Sequence, residues 1–240
     1  MYTISEMTNI AVEEVFCPSE EALDILEYLL GEVCTPLVMI ARSGYHILNP
    51  YHNYDHELQH VYWSYACAVN EPEAELCDTE LTCLGLASLF HDHNHSGGKS
   101  DDASNIERAV KILPRVRKSF EYGMTEDQVA IVERLIRCTQ FNGSSGFERE
   151  PTDFLEMCMR DADLMAIYSE EGRQLLLGLF DEFGTPLREM KTSQLQETLD
   201  KNAKFLREAP MYTEFGKRMK EYHLESALRD FAHFVKASLC

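Results

Sequence analysis

Positive charge is in short supply in this sequence. In 240 residues, 22 lysines and arginines stand against 41 aspartates and glutamates, for a formal net charge of −19. That balance argues against a surface that holds nucleic acid or anionic lipid, because such binding rests on basic side chains releasing counterions. An anionic substrate would need cations concentrated locally, as metal ions or as a Lys/Arg patch; elsewhere the acidic residues read as a solvated surface. No apolar run approaches the roughly 20 residues that cross a bilayer. The opening "MYTISEMTNIAVEEVF" has no basic stretch leading into an apolar one, so no signal peptide is expected. The 8 cysteines, at 17, 34, 67, 77, 83, 138, 158 and 240, include no CxxC pair, which argues against a zinc ribbon. They read as reduced, mostly buried thiols of a cytoplasmic protein. Internal repeats, low-complexity tracts and linker-length loops are missing too.

What is present is helical periodicity. Leu23, Ile25, Leu26, Leu29 and Leu30 make one apolar stripe, preceded by a Pro–Ser start and early acids. Ile106, Ala109, Val110 and Leu113 repeat the pattern, as do Val129, Val132, Leu135 and Ile136, and again Leu176, Leu179, Phe180 and Phe183. Loops fall at "RSGYHILNP", "NHSGGKSDD", "FNGSSGFEREPTD" and "FGTPL". No alternating run bounded by turns predicts a strand. With 45% hydrophobic and 26% charged residues, the expectation is one all-α domain over residues 1–240, a compact multi-helix bundle.

Six of the 9 histidines fall in two short stretches: His52, His56 and His60 in "NPYHNYDHELQH", and His91, His93 and His95 around Asp92 in "LFHDHNHSGG". Adjacent His and Asp near a helix end can converge on one cation, and that donor pair suits Zn, Mn, Fe or Co, with Mg served by a bridging carboxylate. Further on, "FLEMCMRDADLMAIY" places Asp161 and Asp163 beside Arg160 in a buried-looking segment, where carboxylates are costly unless paired or metal-bound, and Arg160 is the candidate partner of Asp161. His46, His223 and His233 have no partner at ligand spacing and read as ordinary hydrogen-bonded residues.

The order His56, His91–Asp92, Asp163 resembles the H…HD…D signature of the HD-domain metal-dependent phosphohydrolase superfamily. "NPYHNYDH", "HDHNHSG", "SNIERA", "VERLIRCTQF" and "DADL" resemble, in sequence order, motifs of the class I 3′,5′-cyclic nucleotide phosphodiesterase catalytic domain. The likeness is clearest over residues 46–184. It implies hydrolysis of the 3′ phosphoester bond of a cyclic nucleotide such as cAMP or cGMP by a hydroxide held between two divalent metal ions. His56, His91, Asp92 and Asp163 would bind the first ion (Zn, Fe or Mn), and Asp92 would bridge to a second (Mg or Mn). His52 would be the general acid, with His95 and Glu107 behind the metal ligands. His60 and His93 fall outside that metal set. Tyr51 would line the substrate pocket by motif position. For the family's base-reading glutamine and aromatic clamp, the candidates are Gln194, Gln196, Phe205 and Tyr212, with Gln196 the choice. The expected partner is this small molecule rather than nucleic acid or membrane, and nothing fixes an oligomeric state. Rival readings are a general HD phosphohydrolase of phosphorylated metabolites, a di-iron oxygenase in which His60 and His95 complete two iron sites, and a non-catalytic scaffold.

Overall fold

Ile25, Leu26 and Leu30 form the buried face of α1 (Pro18–Leu30), while Leu23 turns to the surface. The computed structural model describes residues 18–71, 74–120, 123–142 and 146–239. After α1 come α2 (Cys34–Ala41), α3 (Tyr54–Val69), α4 (Asp78–Phe90), α5 (Asp102–Val110) and α6 (Leu113–Ser119). They are followed by α7 (Glu126–Cys138), α8 (Phe154–Met165), α9 (Glu170–Glu182), α10 (Thr192–Glu208) and α11 (Glu214–Ser238). Among the described residues there is no strand, only an isolated bridge between Phe141 and Phe147. The chain is the all-helical bundle its periodicity predicts. The segment read for a signal peptide lies outside the described residues. None of the described helices is long and apolar enough to cross a membrane.

Two helices have no solvent face along most of their length. Every residue of α3 from His56 to Ala68 is buried, and so is every residue of α4 from Cys83 to Phe90. A helix enclosed all round is a core helix, and α3 packs against α1, α4 and α8. Its polar side chains are therefore delivered into the interior, where each must find a partner or a cation. Asn53 sets where α3 begins: its side-chain oxygen accepts the N–H groups of Asp55 (3.0 Å) and His56 (3.1 Å), an N-cap worth about 1 kcal/mol. Cys34, Cys67, Cys83, Cys138 and Cys158 are buried free thiols, and Cys77 is an exposed one.

A second apolar cluster, including Ile167, Phe180, Leu195, Leu199 and Phe231, joins α9, α10 and α11. Two glycines let α9 approach the histidine-bearing loops. A side chain at Gly178 would run into the backbone and ring of Pro50. One at Gly98, whose φ is 75, would meet the carbonyl of Glu182. The C-terminal end of α9 therefore rests against the loop that holds Pro50, Tyr51 and His52.

Candidate metal centre

The start of α3, the end of α4 and the end of α8 meet at one point. From α3, His56 places its Nε2 3.2 Å from Oδ2 of Asp92 and 3.3 Å from Nε2 of His91. His91 Nε2 is also 3.2 Å from that same Asp92 oxygen and 3.7 Å from Oδ1 of Asp163. Ligand atoms of His56, His91 and Asp163 all lie within 4.8 Å of one another. The Nδ1–H of His91 donates to the Ser88 carbonyl (2.8 Å), so Nε2 is the nitrogen turned to the cluster and the one that a metal ion would deprotonate. Two imidazole nitrogens facing each other across a carboxylate oxygen make a poor hydrogen-bond network and a good donor set. These residues fit a divalent cation.

Electrostatics agree with the geometry. Burial opposes ionisation of Asp92, yet His91, His52 and His56 hold its carboxyl well below the usual range. Burial pulls His56 down to about 4, which keeps its ring neutral and able to ligate. For His91 burial also works downward, but Asp92 and Asp163 outweigh it and lift the ring to about 9. Burial pushes Asp163 up to about 7 despite His91 nearby. A metal ion would replace those protons as the balancing charge.

Beside the cluster stands a second arrangement. His52 Nδ1 lies 2.7 Å from Oε2 of Glu182, while Oε1 of Glu182 accepts the N–H groups of Tyr51 and His52, each at 2.8 Å. The His52 ring stacks on His95 with centroids 3.8 Å apart. His95 Nε2 is 2.7 Å from Nδ2 of Asn105, and Asn49 joins the two loops by donating to the carbonyls of His52 (3.1 Å) and His95 (2.9 Å). Glu182 carries no local signal in the sequence, because 130 residues separate it from His52 and it looks like any surface acid at a helix end.

Several sequence expectations are corrected. Asp161 does not pair with Arg160: it accepts the N–H of Tyr212 (2.9 Å) and both the N–H (2.8 Å) and the hydroxyl (2.7 Å) of Thr213. Arg160 instead stacks on Phe147 at 3.8 Å and donates to the Arg149 carbonyl. Glu107 is not behind the metal ligands; it is exposed and ion-paired to Arg137 at 2.6 Å. His60 comes closer than expected, with Nε2 3.4 Å from Oδ1 of Asp163 and 3.1 Å from the Met159 carbonyl. His46 is no ordinary core histidine, since folding brings Glu57 and His93 to it.

The cluster opens into a cavity of about 520 Å³ lined by Tyr51, His52, His56, His91, Asp92, His95, Asn105, Thr139 and Asp163 on its polar side. Phe141, Phe147, Phe183, Phe205 and Leu179 contribute an apolar side, with Phe141 edge-on to both Phe147 (5.5 Å) and Phe205 (5.9 Å). Of these aromatics only Phe205 is among the clamp candidates that the sequence offers. Gln196 does not reach this cavity; it lines a separate one of about 200 Å³ between α9, α10 and α11 and donates to Asp200. Tyr212 bonds to Glu150, and Gln194 caps α10. No family model matches the chain, and no curated protein matches it.

Proposed function

We propose that the chain is a metal-dependent phosphodiesterase that hydrolyses the 3′ phosphoester bond of a 3′,5′-cyclic nucleotide to a 5′-monophosphate. The observation that carries this reading is the His52–Glu182 pair standing beside the His56–His91–Asp92–Asp163 cluster. His56, His91, Asp92 and Asp163 would hold a first ion of the Zn, Fe or Mn class, and Asp92 would share a second, Mg or Mn. When bound, such cations supply charge for the phosphate and lower the pKa of water toward about 7.

The chain's own residues do the rest. An alkoxide leaves poorly without a proton. Glu182 engages Nδ1 of His52, which leaves Nε2 as the donor to a leaving oxygen. Burial lowers the His52 pKa, but Asp92 and Glu182 outweigh it and raise the ring above its ordinary value, the direction that favours a proton donor. His95 and Asn105 fix the face against which that ring stacks. No lysine or arginine lines the cavity among the described residues, so charge for a phosphate falls to metal ions. The four phenylalanines offer flat apolar surface to a base.

A second reading, a hydrolase of nucleoside monophosphates or other phosphorylated metabolites, is favoured by one observation: Gln196 is outside the cavity. One screen separates the two. The purified chain with Mn²⁺ or Mg²⁺ is offered cAMP, cGMP, cyclic dinucleotides and nucleoside monophosphates. Turnover of a cyclic mononucleotide, abolished by chelator, is expected. Turnover of monophosphates alone selects the second reading, and no metal-dependent turnover overturns both.

A further inference from the structure

Successive residues of a helix point about 100° apart, and the first turn of α3 uses this to serve two places. His56 faces Asp92, whereas Glu57 turns toward His46 and His93. His46 comes from the short helical turn Tyr45–Leu48, and His93 from the loop after α4. All three side chains are buried, and one ligand atom of each lies within 4.8 Å of the others.

Four of their polar atoms are left without a partner. Both carboxylate oxygens of Glu57, Nε2 of His46 and Nδ1 of His93 are buried without a hydrogen-bond partner. His46 Nε2 is only 3.1 Å from Oε1 of Glu57, yet the two do not align as donor and acceptor. Donor atoms within 4.8 Å of one another that satisfy no hydrogen bond can share one cation. A carboxylate at 0% exposure is costly without a counter-charge. Gly44 gives the rings room to meet, since a side chain there would strike both His46 and His93.

We propose that His46, Glu57 and His93 form a further, closed metal site for a divalent cation of the zinc class. Two imidazoles and a carboxylate are a donor set that zinc accepts, with the second Glu57 oxygen available to a fourth position. None of the three lines the 520 Å³ cavity, so the site braces structure and does no chemistry on substrate. It ties the start of α3 to the loops on either side of the candidate centre. The Asn94 N–H points at Nδ1 of His46 from 3.1 Å, which puts the ring proton on Nε2 in the metal-free chain. On binding, that proton moves to Nδ1 and the Asn94 amide gives up its contact.

The test counts metal in the full chain, stripped, reloaded with Zn²⁺ and dialysed. Wild type should hold one equivalent more than Glu57→Gln and one more than His93→Gln, with helical circular dichroism retained in at least one variant. Asp92→Ala, altered only in the neighbouring cluster, should keep the extra equivalent. Loaded with Co²⁺, it should show the visible absorption of a four-coordinate site. Equal zinc in wild type and both Glu57 and His93 variants overturns the proposal, as does an Asp92→Ala protein with no cobalt spectrum. Because metal is counted directly, the result is independent of any catalytic activity.

Discussion

Asp161 and Asp163 sit on the same helix and do different work. Asp163 faces the histidines, and Asp161 anchors the start of α11 through Tyr212 and Thr213. Asp163→Ala should lose the metal of the candidate centre and turnover together while the protein stays folded. Asp161→Ala should keep both but destabilise the fold by about 1–3 kcal/mol, the cost of stranding buried donors. Metal analysis beside thermal melts decides, and a reversed pattern would reassign the ligand. Asp92→Ala should abolish turnover, since Asp92 touches both His56 and His91. His52→Ala should slow a cyclic nucleotide by about two to four orders of magnitude with metal content unchanged. A p-nitrophenyl phosphodiester, which scarcely needs a proton, should lose far less; equal losses on both substrates would mean that His52 only holds the site's shape.

At the scale of elements, α9 matters because it carries Glu182 to His52 over a contact that admits no side chain at Gly178. Gly178→Ala should push α9 away from Pro50, costing about 1–3 kcal/mol as overpacking does. It should also reproduce, more weakly, the substrate-selective loss expected of His52→Ala, and equal loss on both substrates would reject that link. Most helices were readable from period alone, because stripes such as Val132, Leu135 and Ile136 bury one face. The clusters were only half readable. His56, His91, Asp92 and Asp163 stand in a recognisable order, whereas Glu182, Glu57 and Phe147 carry no local signal. Their partners are set by which helices pack, and spacing along the chain does not encode that.

Across the whole molecule, acid should cost stability through one buried carboxylate outside the candidate centre. Glu156 accepts from Arg134 (2.7 Å), Arg149 (2.6 Å) and the Thr152 N–H (2.8 Å), joining α7, α8 and the loop between them. Burial opposes its ionisation, but Arg149, Thr152 and Arg134 prevail and hold it down to about 2, against an ordinary 4.5. A pKa depressed by folding contributes stability that is complete above about pH 4.5 and is lost as pH falls toward 2. Glu156→Gln should therefore be clearly less stable than wild type at pH 7, with the gap closing in acid. Denaturant midpoints measured at pH 7 and pH 3 check this, and a pH-independent gap would contradict it. The first turn of α3 carries a different kind of constraint. His56 and Glu57 are neighbours committed to separate clusters, so the helix's rotational phase is pinned from two directions. Point changes at its other positions leave that phase alone. A single inserted or deleted residue there would swing both side chains by about 100° and empty both clusters at once, so length change in this turn should be far less tolerated than substitution.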